Sequence, residues 1–388
     1  MSGTAEVVSL GCRLNLAESK RIRALLAGED VVVINSCAVT AEAVRQTRQA
    51  IRQARRRRPD ARLLVTGCAA EVERAQLSAM PEVDGLIANA AKLDPRAWNV
   101  AERDGPAPQT HTRAFIAVQN GCDHACTFCV IPRGRGASRS LPVADVLRAI
   151  ERSPTAEVVL TGVDLTSWGH DLPGAPRLGT LTRDILASFP QLNRLRLSSL
   201  DGVEIDPLLL DLLADEPRVM PHVHLSLQHG ADLILKRMKR RHSRADAISL
   251  VARLTARRPD IAIGADLIAG FPTETPEHHA ANLSILAELG VVHAHVFPYS
   301  PRPGTPAARM PQLAPALIRT RAAELRAAAA RVRQDWLQTL VGSPHRVLTE
   351  SDGTGYSPHF ARVAVPAGTP RGTVVTVTPR ECKEGLLQ

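Results

Sequence analysis

Aromatic residues and long apolar runs are scarce in this chain. Phe, Trp and Tyr together make up 3% of the 388 residues. No uninterrupted apolar stretch is long enough to cross a bilayer. The N-terminal sequence MSGTAEVVSLG also lacks the basic segment followed by an apolar segment that marks a signal peptide. We therefore expect a cytoplasmic protein with no membrane partner, and an apolar fraction of 44% is sufficient for a buried core.

A disulfide framework is not expected either. The chain has seven cysteines, an odd number, and no export signal. Metal ligation or redox chemistry is the better explanation for them.

The charge balance is basic, with 48 Lys and Arg residues against 39 Asp and Glu residues, a net charge of +9. Such a charge favours a polyanionic partner, with nucleic acid the first candidate, although it also serves general solubility. The run Arg55 to Arg58 has the same two interpretations, an RNA contact or a solvated helix end.

The first hundred residues alternate between strand-like and helix-like segments, which predicts a parallel sheet. Strands are expected at Glu6–Leu10, Asp30–Asn35 and Arg62–Thr66, with a basic helix at Ala41–Arg57 between the last two. Each strand ends near a cysteine: Cys12, Cys37 and Cys68. Since sites in open parallel sheets lie beyond the carboxyl ends of the strands, these three cysteines are expected to converge.

The alternation restarts after a segment rich in Pro and Gly. Residues 101–113 are expected to be a linker. Six βα units then predict an open, partial (β/α)6 barrel, followed by an amphipathic helix near Leu317–Leu340 and a small C-terminal β-barrel. The expected fold is thus α/β, with an N-terminal domain at 1–100, a central domain at 114–340 and a β domain at 341–388.

The strongest chemical pattern is the loop NGCDHACTFC, which places Cys122, Cys126 and Cys129 directly after a predicted strand. Thiolates are the usual ligands of a [4Fe-4S] cluster. Three ligands leave one iron open, as a catalytic metal centre requires. S-adenosylmethionine (SAM) occupies that position in radical SAM chemistry, so the loop predicts an enzyme of this class. The alternative is a zinc site with His124 as its fourth ligand.

The cysteines at the strand ends allow two interpretations. Cys12, Cys37 and Cys68 are either buried small hydrophobes or a second set of cluster ligands. Their contexts LGCRLN, INSCAVT and VTGCAA are alike, since each follows an apolar strand with a turn residue nearby, and this favours a second cluster. Cys382 has no partner in sequence and is expected to be structural or incidental.

Together these blocks resemble the radical SAM methylthiotransferases, in order, over nearly the whole chain. The matching blocks are SLGCRLN, VINSCAVTAEA, VTGCAA, CDHACTFCVIPRGRGASRS, VVLTGVDLTSWG, RLRLSSL, LSLQHGADLILKRMKRRHS, DLIAGFPTETPE and HVFPYSPRPGTPAARMP. The R-L-N after the first cysteine, and the last block, look most like the MtaB branch, which acts on N6-threonylcarbamoyladenosine beside the tRNA anticodon.

The resemblance implies two [4Fe-4S] clusters and SAM as cofactors. Cys12, Cys37 and Cys68 would hold an auxiliary cluster concerned with sulfur donation, and Cys122, Cys126 and Cys129 the cluster that cleaves SAM. It also implies partners, which are the anticodon region of tRNA and a low-potential electron donor. The tail would match a TRAM domain, a small RNA-binding β-barrel.

The resemblance places four further residues around SAM: Phe128, Gly162, Gln228 and Tyr299. Gln228 could equally cap a strand end, and Tyr299 could serve packing. Arg133, Arg135 and Arg139 would hold the SAM carboxylate or an RNA phosphate, or stabilise their loop. One departure is His229, which stands where similar enzymes usually have serine.

Three functions remain open from sequence. The first is methylthiolation of N6-threonylcarbamoyladenosine at adenine carbon 2. The second is the same chemistry on isopentenyl-adenosine in tRNA or on a ribosomal-protein aspartate. The third is a non-enzymatic RNA-binding protein whose metal sites are structural.

Overall fold

The α/β architecture is confirmed by a computed structural model, which describes residues 5–101 and 112–388. The predicted linker at 101–113 lies outside the described residues, apart from Ala101, Thr112 and Arg113. Within the described ranges, no helix is both long and apolar enough to cross a membrane.

The N-terminal part is a four-stranded parallel sheet in the order β1-β2-β3-β4. Its strands are β1 (Glu6–Ser9), β2 (Val31–Ser36), β3 (Arg62–Gly67) and β4 (Gly85–Leu86). Its helices are α1 (Arg13–Leu25), α2 (Ala41–Arg57), α3 (Cys68–Val72) and α4 (Arg74–Ser78). The helices α3 and α4 are separate, because Glu73 between them leaves the helical conformation (φ −118°, ψ 30°).

Helices cover both faces of this sheet, which explains the unbroken apolar run of β2. Val32 and Ile34 face one core, and Val31 and Val33 face the other. Every residue of β2 is buried, as expected for a central strand with both faces covered. The carboxyl ends of β1, β2 and β3 therefore meet at one edge of the sheet.

The central part contains the predicted six βα units. Its strands are β5 (Ala114–Ala117), β6 (Gln119–Asn120), β7 (Arg139–Ser140), β8 (Val158–Thr161), β9 (Leu195–Leu197), β10 (Ser199–Leu200), β11 (His222–Gln228), β12 (Ala262–Ala269) and β13 (Val291–Pro298). The order β5-β8-β9 continues through β10-β11-β12-β13, and these strands are parallel. The short pair β6 and β7 is antiparallel.

Helices pack on the outside of this partial barrel. They are α6 (Val143–Glu151), α7 (Leu178–Ser188), α8 (Pro207–Asp215), α10 (Arg244–Arg257), α11 (Pro276–Glu288) and α12 (Pro315–Thr339). Two short helices, α5 (Ile131–Arg135) and α9 (Asp232–Arg237), lie instead at the carboxyl end of the strands. Several begin at side-chain caps; for example, Ser243 and Asp246 form a reciprocal capping box at α10. Alternate strand residues such as Val223, Leu225 and Leu227 join the outer apolar core. The residues between them face the barrel lumen, and many are polar.

The C-terminal part is a six-stranded sheet in the order β17-β14-β15-β16-β19-β18. Its strands are β14 (His345–Thr349), β15 (Thr354–Tyr356), β16 (Arg362–Ala364), β17 (Val374–Val377), β18 (Cys382–Lys383) and β19 (Leu386–Leu387). Cys382 packs half-buried against the small apolar core of this sheet. The loop between β15 and β16 reaches the amino ends of the barrel strands, where Arg196 Nη2 donates to the Pro358 carbonyl (3.0 Å).

Candidate functional site

The loop with Cys122, Cys126 and Cys129 is enclosed by β6 and β7. Gly121 makes this close turn possible, since it has φ +76° and a Cβ there would lie 1.9 Å from the Ala137 carbonyl oxygen. Two backbone N–H groups point at the sulfurs: His124 N lies 3.5 Å from Cys122 Sγ, and Ile131 N lies 3.4 Å from Cys129 Sγ. Donors aimed at sulfur are a feature of protein sites that hold iron–sulfur clusters.

The three thiols of this loop are free and partly shielded from solvent. Burial raises the pKa of Cys129 to about 11 and raises that of Cys122, beside Asp164, further still. Arg240 Nη1 lies 3.6 Å from Cys126 Sγ. The Cys122 and Cys129 thiols are thus protonated without metal, and binding iron would release their protons. Donor type, spacing and surrounding N–H groups fit a [4Fe-4S] cluster.

His124, the fourth ligand that a zinc site would require, is engaged elsewhere. Its Nε2 lies 2.6 Å from Asp164 Oδ2 and 3.2 Å from Arg241 Nη2. The hydrogen bond to Asp164 raises the pKa of His124. The Asp164 carboxylate also accepts a hydrogen bond from the Cys122 thiol (3.7 Å). It therefore orients both Cys122 and His124 at the beginning of the loop.

The second group of cysteines lies where β1, β2 and β3 end, as predicted. Cys12 precedes α1 at its N-cap, Cys37 follows β2, and Cys68 begins α3. Gly11 (φ +90°) packs against Cys37 so closely that a Cβ would lie 2.8 Å from Cys37 Sγ. Burial raises the pKa of Cys37 to about 11, and it also raises that of Cys68. These are three convergent free thiols with Cys12 exposed, a donor set that could hold a second cluster.

The two cysteine groups face each other across a narrow contact. Helix α3, which begins at Cys68, packs on α5, which follows Cys129. A Cβ at Gly134 would lie 3.2 Å from the Cβ of Cys68. Asn89 Nδ2 donates to the Gly134 carbonyl (2.5 Å) and lies 4.0 Å from Cys68 Sγ. A small residue at position 134 is what permits this approach.

A buried ion network fixes the same contact. Arg135 Nη1 lies 2.9 Å from Glu18 Oε1, and Lys92 Nζ lies 2.5 Å from Glu18 Oε2. Arg135 also bonds Asn15 and Asn120. Of the roles considered for Arg135, the structure therefore supports stabilisation of its loop. Arg133 and Arg139 are exposed; Arg133 Nη1 donates to the Pro303 carbonyl (2.6 Å).

The four residues expected around SAM lie at the same end of the barrel, but only Phe128 and Tyr299 belong to one group of packed aromatic rings. Phe128 and Tyr299 both contact Phe271, with ring centroids 6.4 and 5.4 Å apart. Gly162 follows β8 and packs on Gln119, whose side-chain oxygen would lie 2.8 Å from a Cβ at position 162. Gln228 ends β11 in a left-handed conformation (φ +70°).

His229, the departure from the usual serine, is fully buried in a polar network. Its Nε2 lies 3.2 Å from Glu274 Oε2, and its Nδ1 accepts from Ala231 N (3.0 Å). Glu274 also accepts from Gly270 N and from Arg321 of α12. Burial lowers the pKa of His229, so the imidazole is held neutral as a structural link between the strand ends.

Sequence reasoning missed a group of polar residues in the barrel lumen. Asp266 Oδ1 lies 3.0 Å from both His224 Nε2 and His295 Nδ1. His222 and His293 lie near the amino ends of the same strands. The signal was present, because polar residues recur at every second position of the largely buried strand HVHLSLQ, and His293 and His295 repeat this spacing in the strand β13.

Three of the four arginines in the basic run at the end of α2 form ion pairs, and Arg56 is exposed. Arg55 Nη2 lies 2.6 Å from Asp84 Oδ2, and Arg57 and Arg58 pair with Glu6 and Asp30. This agrees with a solvated helix end rather than with an RNA contact.

Comparison with known proteins agrees with the geometry. Residues 116–284 match the Radical SAM superfamily, and residues 4–88 match a family described as uncharacterized protein family UPF0004. The threonylcarbamoyladenosine tRNA methylthiotransferase MtaB of Rickettsia prowazekii is 41% identical, over 92% of this chain and 90% of that protein. The MtaB of Aquifex aeolicus is 34% identical, over 88% and 94%.

A relative of another branch also matches. The tRNA-2-methylthio-N(6)-dimethylallyladenosine synthase of Cereibacter sphaeroides is 32% identical, over 89% of this chain and 87% of that protein. Among solved structures, the radical SAM methyltransferase TsrM of Kitasatospora setae shares the fold. Its TM-score is 0.50 at 18% identity, over 72% of this chain and 63% of that one. The chain therefore belongs to the radical SAM methylthiotransferase family, where it is most like the MtaB-type enzymes.

Proposed function

We propose that this enzyme methylthiolates N6-threonylcarbamoyladenosine beside the tRNA anticodon, at adenine carbon 2, with two [4Fe-4S] clusters. The main observation in support is that the two groups of three cysteines lie on elements that face each other. Cys68 of the N-terminal group lies beside Gly134, which is in the helix α5 that follows Cys129. Sulfur transfer needs a sulfur site next to a radical site, and this contact would place the two proposed sites side by side. The substrate assignment is supported by the MtaB relatives.

In this proposal Cys122, Cys126 and Cys129 hold the cluster that binds SAM, and Cys12, Cys37 and Cys68 hold the auxiliary cluster. When bound, the first cluster and SAM supply a radical that removes hydrogen from an unactivated C–H bond, with the electron coming from a low-potential donor.

The side chains of the protein position and shield these groups. Asp164 orients His124 and the Cys122 thiol, and the Arg240 guanidinium contacts the Cys126 sulfur. Phe128, Phe271 and Tyr299 form an apolar wall at the carboxyl ends of the strands, where Phe128, Gly162, Gln228 and Tyr299 would contact SAM. An apolar wall excludes water from a reactive radical.

We further propose three domains, residues 1–100, 114–340 and 341–388, with a linker at 101–113 between the first two. The last would act as a TRAM-like RNA-binding module. It has few aromatic residues but carries exposed arginines, among them Arg346, Arg371 and Arg380. Phosphate contacts are therefore favoured over base stacking.

The substrate is tested by mass spectrometry of tRNA nucleosides from a strain that lacks this gene. The proposal predicts loss of 2-methylthio-N6-threonylcarbamoyladenosine, with the unmodified nucleoside accumulating in its place. The wild-type gene restores it, whereas the Cys68→Ala and Cys126→Ala variants do not. An unchanged level of this nucleoside would refute the substrate. Loss of the isopentenyl analogue instead would move the enzyme to the other tRNA branch.

The two clusters are tested by anaerobic reconstitution and iron analysis. The wild-type chain is expected to bind about eight irons, and a variant with Ser at Cys12, Cys37 and Cys68 about four. That variant should still produce 5′-deoxyadenosine with a reductant. A wild-type chain that holds zinc, or that never exceeds about four irons, would exclude the two-cluster proposal.

A further inference from the structure

Arg13, which directly follows Cys12, sends its side chain into the barrel lumen. Its guanidinium carbon lies 5.2 Å from the centre of the Phe360 ring. The charges that act on it are those of Arg113, Glu157 and Asp266, which lie at or near the lumen on the barrel strands. The residue is thus placed between the cysteine at the end of β1 and the interior of the barrel.

This guanidinium lacks a counter-ion. Within residues 5–101 and 112–388, Arg13 makes neither an ion pair nor a hydrogen bond; its contact with Phe360 is a cation–π contact. A half-buried arginine without an acceptor has lost part of its hydration and is ready to bind an anion.

The other arginines around the Phe360 ring have carboxylate partners. Arg113 and Arg196 also lie over this ring, with guanidinium carbons 5.6 and 4.6 Å from its centre. Glu157 Oε1 lies 2.7 Å from Arg113 and 3.0 Å from Arg196, and Glu350 also pairs with Arg113. Arg194 shares Glu157 as well.

The part of the barrel lumen around the Phe360 ring therefore carries excess positive charge. The four arginines Arg13, Arg113, Arg194 and Arg196 face three carboxylates, Glu157, Glu350 and Asp266, and Asp266 is also bound by His224 and His295. His222 and His293 add no charge, because burial lowers the pKa of both, that of His293 to about 3. The excess positive charge would attract an anionic substituent, and it offers no comparable attraction to an uncharged one.

We propose that Arg13 binds the carboxylate of the threonylcarbamoyl group and so selects an adenosine with an anionic N6 substituent over one with an apolar substituent. The identity of the nucleoside rests on the proposed function. The carboxylate would bridge the two outer nitrogens of the guanidinium, the bidentate geometry that arginine favours. Because Arg13 is adjacent to Cys12, the same contact would hold the adenine beside the proposed sulfur site.

Two tRNA probes test this assignment, one with N6-threonylcarbamoyladenosine and one with the methyl ester of its threonyl carboxylate. Dissociation constants are measured anaerobically for the reconstituted wild-type enzyme, Arg13→Gln, Arg13→Lys and a control, Arg21→Gln. Arg21 is an exposed arginine on the same helix. Iron content is measured for each variant, because Arg13 is next to Cys12.

The wild-type enzyme and Arg21→Gln are expected to bind the acid about 10- to 100-fold more tightly than the ester, as for a hydrogen bond to a charged group. Arg13→Gln should bind both probes as weakly as the wild type binds the ester, and Arg13→Lys should recover part of the preference. Arg13→Gln should retain the iron content of the wild type.

Three results would overturn the assignment. The wild-type enzyme could bind the acid and the ester equally well, or Arg13→Gln could keep the wild-type preference for the acid. Arg13→Gln could also lose affinity for both probes to the same extent. The last would indicate an RNA phosphate. Measuring the methylthiolated product distinguishes a failure of this proposal from a failure of the proposed function. A preference that depends on Arg13 without any methylthiolated product would refute the function alone, and product formation with an unchanged preference would refute the role of Arg13 alone.

Discussion

Arg135 forms a two-pronged ion pair with Glu18 inside the protein, with Nη1 2.9 Å from Oε1 and Nη2 3.1 Å from Oε2. Arg135 follows the loop of Cys122, Cys126 and Cys129, and Glu18 lies on the helix that begins after Cys12. The pair therefore joins the elements that present the two cysteine groups. It fixes their separation, which is the distance across which sulfur would be transferred.

Glu18→Gln is expected to destabilise the protein by about 3–5 kcal/mol, because Arg135 and Lys92 would remain buried without their counter-ion. The free energy of unfolding from urea denaturation measures this effect. Glu42→Gln is the control, since Glu42 forms an exposed pair with Arg45, and it should cause no measurable change. Equal stabilities of the two variants would contradict the importance of the network.

Gly11→Ala is expected to remove the auxiliary cluster and to leave the other cluster in place. The new Cβ would lie 2.8 Å from Cys37 Sγ, so that sulfur must move. Iron analysis after reconstitution should show about four irons rather than about eight. Gly174→Ala shares the left-handed backbone cost (φ +76°) but meets no atom within 4 Å, and it should bind iron as the wild type does. Full iron content in Gly11→Ala would refute the prediction.

The stability of the protein should depend on His293 at mildly acidic pH. Burial and Arg333 lower the pKa of His293 from 6.5 to about 3 in the folded state. Below pH 6.5 the unfolded chain therefore binds a proton at His293 that the folded chain does not bind. The stability linked to this residue is complete above about pH 6.5 and is lost as the pH falls toward 3.

His293→Asn should consequently show a shallower fall in the free energy of unfolding between pH 6.5 and 5, by up to about 1.4 kcal/mol per pH unit. Urea denaturation of both proteins across this range measures the slopes. Identical slopes would contradict a neutral, buried His293.

Phe360→Leu should cost about 1–2 kcal/mol, because leucine keeps the apolar volume but removes the ring face on which Arg13, Arg113 and Arg196 lie. Phe189→Leu is a matched control, since Phe189 is partly buried in the outer apolar core. It should cost clearly less, and thermal unfolding compares the two. A larger loss in Phe189→Leu would argue against the cation–π cluster.

Much of the fold followed from periodicity. The basic helix expected at about Ala41–Arg57 is present, and the structure shows that the Thr40 side chain caps its first turn. The convergence of Cys12, Cys37 and Cys68 followed from the rule for parallel strand ends. The short pair β6 and β7 was missed, since two-residue strands have no periodicity of their own.

The charged interior could not be predicted. Glu18, Lys92 and Arg135 come from three distant segments, and nothing local marks them as partners. The lumen is similar, because Arg13 meets Phe360 only after the N-terminal and C-terminal parts close on the barrel. Sequence can flag R-L-N as a family feature, but only the fold shows where that arginine points.

The most direct test of the account is an anaerobic reaction of the reconstituted enzyme with SAM, a reductant and tRNA that carries N6-threonylcarbamoyladenosine. The wild type is predicted to form both 5′-deoxyadenosine and 2-methylthio-N6-threonylcarbamoyladenosine, whereas Cys68→Ala should form only the first. Methylthiolated product from Cys68→Ala at the wild-type level, or none from the wild type, would contradict it.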